Sequence, residues 1–251
     1  MSQIRAFITI LNVIITSIMC GIILWTLGIT KRYQARKAFQ LKAYRALCKA
    51  WRIEVTIYGD IAPAPTLLIS NHCTYIDVFI LGSIGNMRFT PKSDVKSWPV
   101  VAQVIRAFDV IFVDRTPAKA KEAQHALHNA LSRGDRICIF PEGTTNDGRS
   151  LKPYKSSLLS LAEQREQLIV QPLVVKYTEF DGKPVDNHAW ERIAWYGDAD
   201  LLTHLWSFSK ARSVKVDVHC LQPMSTEQHG NRKMLTKQAY DATAQRLGYS
   251  D

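Results

Sequence analysis

The chain has 251 residues, 47% of them hydrophobic, which is enough for one substantial domain with a core of its own. Five cysteines, Cys20, Cys48, Cys73, Cys138 and Cys220, form an odd set without paired spacing; neither a disulfide framework nor a zinc site is indicated, and a reducing compartment fits. The formal charge is +10, from 32 Lys and Arg against 22 Asp and Glu, and its distribution along the chain is uneven.

Ala6 to Thr30 are 25 consecutive uncharged positions, largely Ile, Leu, Val, Phe and Met. A helix rising about 1.5 Å per residue would cross a hydrocarbon core of roughly 30 Å with room for tilt. A cleaved signal peptide fits less well, because only Arg5 precedes the run, the run is too long, and no small-residue cleavage site precedes the basic flank. A single transmembrane or membrane-embedded anchor over residues 1–30 is expected. Residues 31–52 then carry eight basic residues (Lys31, Arg32, Arg36, Lys37, Lys42, Arg45, Lys49 and Arg52) and no acidic one. Removing these and Arg5 from the total of 32 leaves 23 basic residues against 22 acidic ones in the remainder. That near-neutral remainder argues against a nucleic-acid partner, whose binders usually carry charge on the folded domain. A cationic belt beside an apolar helix suits anionic lipid headgroups, and it places the domain on the cytoplasmic face. Phe39, Ala43, Ala46, Leu47, Ala50 and Trp51 give this belt an apolar side at helical spacing. The expectation is a helix along the membrane surface, the alternative being a helix packed on its own domain.

From Ile53 onward strand-like and helix-like runs alternate, which argues for an α/β domain over 53–251 with a mixed central sheet flanked by helices. Strands are expected at Ile53–Tyr58, Thr66–Ser70, Arg88–Thr90, Val110–Asp114, Arg136–Phe140, Leu168–Lys176 and Ser213–Leu221. The last alternates Val214, Val216, Val218 and Cys220 with polar partners and reads as a half-buried edge strand. The clearest helix runs from Pro117 to Arg133, with Thr116 as its cap and Gly134 at its end. Trp190, Trp195, Trp206 and Phe208 either pack on the domain, the favoured reading, or dip into a membrane. Asn231 to Leu247 reads as a closing helix.

Ligands of such sheets gather at loops beyond strand ends, and three polar motifs fall there. In the first, Leu67-Leu68-Ile69 forms a short buried strand that empties into Ser70-Asn71-His72, and a helix-like stretch follows from Tyr75 to Ile84. Thr74 could cap that helix, with Asp77 in its first turn. His72 and Asp77 are five residues apart, about 140° around a continuous helix, and would not meet there. Across a strand-to-helix turn they can, as a base and its orienting carboxylate must. No GxSxG elbow supplies a serine, so the activated hydroxyl is read as the substrate's. Asp77 as a plain helix-start residue and His72 as a loop histidine are the simpler alternatives. The second motif, Val110 to Arg115, would bring Arg115 out of a buried strand, where its planar fork suits a phosphate or carboxylate or a surface salt bridge. The third, Ile137 to Thr145, empties a strand into Pro141-Glu142-Gly143-Thr144-Thr145. Gly143 permits close backbone approach, Thr144 or Thr145 can donate to an anion, and Glu142 could hold a substrate hydroxyl or pair with Arg115. A plain chain reversal is the alternative.

Together the motifs resemble those of the glycerolipid acyltransferase family. Asn71-His72-Cys73-Thr74-Tyr75-Ile76-Asp77 matches its NHxxxxD signature, Val110 to Arg115 resembles its second motif, Phe140 to Thr145 its third, and Val170-Gln171-Pro172-Leu173-Val174 its fourth. Order and spacing resemble the 1-acylglycerol-3-phosphate acyltransferases from about Thr66 to Lys176, with a weaker echo in Ala194 to Asp198. The resemblance implies acyl transfer from acyl-CoA or acyl carrier protein to a hydroxyl of a lysolipid, without metal or cofactor. His72 would then be the general base, Asp77 its orienting partner, and Asn71, Arg115, Glu142, Gly143, Thr144 and Thr145 would bind substrate. One departure stands out. Many lysophosphatidic acid enzymes of the family read FPEGTR where this chain has Thr145, which weakens a bare phosphomonoester as acceptor and brings the motif nearer to lyso-ornithine lipid acyltransferases. Arg149, Lys152 or Lys155 could substitute for that arginine. Two rival classes make different predictions: an esterase or thioesterase would use His72 to activate water, and a silent lipid-binding protein would not need His72.

Overall fold

A computed structural model of the protein describes residues 2–91, 105–113, 119–165 and 167–249. Two helices open the chain, α1 (Ser2–Ile29) and α2 (Tyr33–Ala50). An α/β domain follows: β1 (Ile53–Tyr58), β2 (Thr66–Ser70), α3 (Asp77–Ile84), β3 (Arg88–Phe89), α4 (Ala120–Ser132), β4 (Arg136–Ile139), a short 3₁₀ turn and α5 (Ser160–Gln164). Then come β5 (Ile169–Phe180), β6 (Lys183–Pro184), α6 (Asn187–Ile193), α7 (Leu201–Ser209), β7 (Val214–Cys220), α8 (Thr226–His229) and α9 (Arg232–Leu247). The described strands form one mixed sheet in the order β1-β7-β5-β2-β4-β3, with β6 paired to β5. All contacts along it are parallel except β5 with β7 and β6.

The central strand β2 is buried at every position, as its unbroken apolar run requires. Leu67 and Ile69 join a core on one face with Ala130, Leu131, Ile137 and Leu235, while Leu68 faces the other with Ile76, Ile80 and Val175. Both faces are therefore covered. The feature that positions the site is a mismatch of length. β2 stops at Ser70 opposite Leu173, whereas β5 runs on to Phe180. Residues 174–177 of β5 thus lie beside the turn that leaves β2.

Several expectations are revised. β7 is not an edge strand: it lies between β1 and β5, and its alternation records one open sheet face, with Val214, Val216 and Val218 buried on the other. The run Val110–Asp114 is not a regular strand over its described part. It follows the end of β3 through hydrogen bonds from Ile111 N to Phe89 O at 2.9 Å and from Val113 N to Pro91 O at 3.0 Å. Asp114, Arg115, Thr116 and Pro117 lie outside the described residues. Phe208 is buried against Trp51 and Phe180, and Trp190 packs edge-on to Tyr177, whereas Trp206 is exposed.

The apolar side of α2 packs within the domain. Ala43, Tyr44, Leu47 and Cys48 are buried, and Tyr44 comes so close to α3 that a Cβ at Gly82 would lie 2.4 Å from its ring. Only glycine permits that approach. Part of the basic belt is also engaged: Lys37 pairs with Asp135 at 2.8 Å and Arg36 with Asp109 at 3.7 Å, with Arg88 bridging the same two carboxylates. Helix α1, in contrast, leaves Ile4, Phe7, Leu11, Ile18, Ile22 and Trp25 exposed and buries only Ala6, Thr9, Cys20 and Leu24. Its 28 residues are long and apolar enough to cross a membrane. Its first turns touch α7, where Trp206 Nε1 donates to Gln3 Oε1 at 3.0 Å and Arg5 to the Lys210 carbonyl at 3.0 Å. Its second half packs on α2.

Candidate active site

The turn after β2 is built by its own side chains. Asn71 copies a missing strand partner: its Nδ2 donates to Val175 O and its Oδ1 accepts from Val175 N, both at 2.9 Å. Both amide functions are engaged by β5, so the residue expected to touch substrate is a tie between strands. The next residue, His72, is thereby held at the strand end. Its ring lies flat on Phe140, with centroids 3.7 Å apart and planes 10° from parallel.

Asp77 begins α3 and is 1% exposed. Its Oδ2 lies 2.9 Å from His72 Nδ1 and accepts the backbone N–H groups of Cys73 at 2.9 Å and Thr74 at 3.1 Å. Its Oδ1 accepts the Tyr177 hydroxyl at 2.7 Å. The expected side-chain cap from Thr74 is absent, and its hydroxyl is buried without a partner among the described residues. The carboxylate of Asp77 binds the loop N–H groups in its place. Tyr177 had no signal in the sequence, since it sits in an apolar strand a hundred residues from Asp77. Burial and the nearby Asp77 charge push its phenol well above the usual range, so it remains a donor.

This network fixes a tautomer. An ionised carboxylate can only accept, so His72 Nδ1 carries the proton and Nε2 carries the lone pair. No described residue bonds Nε2, and the side chain is 16% exposed. A carboxylate on Nδ1 leaves Nε2 as the ring nitrogen able to take a proton. Cys73, next in sequence, is no nucleophile: burial first, then Asp77 and Glu142, push its thiol well above the usual range.

Glu142 is 2% exposed. Oε1 accepts His72 N at 2.8 Å, and Oε2 accepts Lys152 N at 3.0 Å and Asn146 Nδ2 at 2.5 Å. The His72 carbonyl accepts Asn146 N at 3.0 Å, so the first and third motifs are laced together. Burial pushes the Glu142 carboxyl up, while Asn146 and the two backbone donors draw it back. Its acceptors are thus filled by the protein itself, and its bond to His72 N holds the backbone of that residue. Gly143 takes φ +80, the left-handed turn that its sequence context demands. Thr144 is exposed beside it, while Thr145 is buried and its carbonyl receives Lys152 Nζ at 2.9 Å. The Lys152 ammonium is thus bound to the main chain of the residue where the resemblance leads one to expect arginine. Arg149 instead reaches the Asn187 carbonyl.

The chain is similar to known proteins in sequence and in fold. A family model described as Acyltransferase matches residues 52–176. A lyso-ornithine lipid O-acyltransferase of Rhizobium meliloti is 31% identical over 77% of this chain and 69% of its own length. A 1-acyl-sn-glycerol-3-phosphate acyltransferase of Neisseria gonorrhoeae is 27% identical over 63% of this chain and 61% of its own. The crystal structure of the 1-acyl-sn-glycerophosphate acyltransferase PlsC from Thermotoga maritima shares the fold, with a TM-score of 0.57 and 15% identity over 94% of this chain and 97% of that one. The strand-end histidine, its buried aspartate and the glutamate-braced turn thus belong to a member of the acyltransferase family.

Proposed function

We propose that the protein moves a fatty acyl group from a thioester, acyl-CoA or acyl carrier protein, to a hydroxyl of a membrane lysolipid, with His72 as general base. The single observation that carries this reading is the contact of 2.9 Å between His72 Nδ1 and the buried Asp77 carboxylate, which leaves Nε2 as the nitrogen for the substrate's proton. An alcohol of high pKa needs such a base in the transition state. The thioester is already activated and asks nothing more than attack at its carbonyl carbon. Proton removal, attack and expulsion of the thiolate then complete the transfer, with His72 returning the proton to sulfur.

The acceptor we favour is a lyso-ornithine lipid. The Rhizobium relative and a Brucella abortus relative, each 31% identical, carry that name, and the third motif ends in Thr145 in place of arginine. Incubating the purified protein with labelled acyl-CoA or acyl carrier protein and a lysolipid panel tests this. Lyso-ornithine lipid should be acylated faster than lysophosphatidic acid. Donor cleavage at the same rate without any lysolipid would make the protein a thioesterase and refute the proposal.

The membrane reading rests on α1. Both of its ends touch the domain, so a helix crossing the bilayer would drag α7 with it; an anchor lying in one leaflet along the domain fits these contacts better. Cytoplasmic orientation follows from the basic flank. Lys31, Arg32, Lys42 and Lys49 are exposed and face no carboxylate among the described residues, unlike Arg36 and Lys37. In mixed micelles the wild-type rate should rise with the fraction of anionic lipid. Neutralising those four residues to Gln should flatten the rise, each losing up to about 1 kcal/mol of surface attraction.

A further inference from the structure

The loop between His72 and Asp77 is gripped from a side that none of the motifs covers. Tyr75, at its middle, turns its ring edge-on to Trp195, with centroids 5.7 Å apart, and to His204 of α7 at 5.5 Å. The Tyr75 hydroxyl lies 3.2 Å from His204 Nδ1. The same loop is held once more by Trp195 N, which donates to the Cys73 carbonyl at 2.8 Å. His204 is 7% exposed and stacks near Phe208 on its own helix. Burial lowers its pKa and raises that of Tyr75, so a neutral imidazole faces a protonated phenol. The phenol therefore donates to Nδ1, and the ring proton belongs on Nε2, which is buried without a hydrogen-bond partner among the described residues.

We infer that Tyr75 and His204 form a positioning pair: their hydrogen bond pins the course of the loop that joins the base to its carboxylate, and so sets the direction of His72 Nε2. The inference rests on the base role proposed for His72. Neither residue touches the reacting atoms. Their effect is transmitted through a loop of four residues, Cys73 to Ile76, whose ends are the two members of the couple. The position of a base can matter greatly, because a shift of about 1 Å can cost roughly a hundredfold in rate. Helix α7 also rests on α1 through Trp206 and Lys210, so the loop is anchored to the part of the protein that meets lipid.

The test compares Tyr75→Phe, His204→Leu, the double variant and His204→Asn in the full-length protein, with His72→Ala as reference. A net hydrogen bond is worth about 0.5–1.5 kcal/mol, which is roughly a 2- to 13-fold change in rate. Tyr75→Phe and His204→Leu should each lower kcat by about that factor, with KM for donor and lysolipid unchanged and the protein still folding cooperatively at a somewhat lower unfolding midpoint. The double variant should be no worse than the more affected single one. His204→Asn, whose Oδ1 can accept in place of Nδ1, should recover most of the rate. Full kcat in both single variants, losses that multiply in the double, or losses confined to KM would each overturn the pairing. An inactive His72→Ala beside a fully active Tyr75→Phe would sink the pair alone, whereas an active His72→Ala would sink the base itself.

Discussion

His72→Ala should leave a folded protein whose acyl transfer falls by roughly 10²–10⁴-fold, the usual contribution of a positioned base. The fold should survive because the ring does little to hold it. The backbone of His72 carries the bonds to Glu142 and Asn146, and an alanine keeps them. What is lost is the Nε2 lone pair and the stacking on Phe140. Removing the ring also frees Asp77 of one partner, but three donors remain on that carboxylate from Cys73, Thr74 and Tyr177. The measurement is kcat for lysolipid acylation alongside a thermal unfolding curve. Near-normal turnover in a folded variant would remove His72 from the chemistry. Among the described residues, neither nearby candidate replaces it: Cys73 is buried with its thiol pushed up, and Glu142 is enclosed by its own donors.

The pairing of His72 with Asp77 is legible in the sequence for a geometric reason. A five-residue spacing that fails on a helix succeeds across a strand end, and the apolar run Leu67 to Ile69 announces that end. The partner of the couple was harder to see. Tyr177 lies in a strand whose pattern reports only burial, and no local spacing links it to Asp77. The same limit explains the misplaced β7. Alternation of Val214, Val216 and Val218 reveals that one sheet face is open, which is as true of an interior strand as of an edge. It explains α2 as well, because an apolar side at helical spacing does not state whether lipid or protein will cover it. Asn71 and Glu142 stand out in the sequence as polar residues at strand ends, and the structure shows both tied to the backbone, a distinction that residue type alone does not carry.

Glu142→Gln should damage both stability and rate, and for one reason. The carboxylate accepts three N–H donors in a buried site, two of them from the backbone of His72 and Lys152. An amide of the same shape has one oxygen to offer and turns an NH₂ group toward at least one of those donors. A buried donor stranded in this way costs about 1–3 kcal/mol, more when it faces another donor. The expected loss is therefore about 1–3 kcal/mol in unfolding free energy, together with a fall in kcat of at least about tenfold as the His72 backbone shifts. Urea titration followed by intrinsic fluorescence and steady-state acylation would read the two effects on one preparation. Asp77→Asn separates them from the other side. There an oxygen at the Oδ2 position still serves the loop donors and His72 Nδ1. The chief loss is the negative charge that stabilises the imidazolium formed when His72 takes a proton, so rate should fall far more than stability. If Glu142→Gln instead raised only the KM for lysolipid and left the unfolding curve in place, Glu142 would have to be a ligand of the acceptor, and its three hydrogen bonds to the protein would not describe its role.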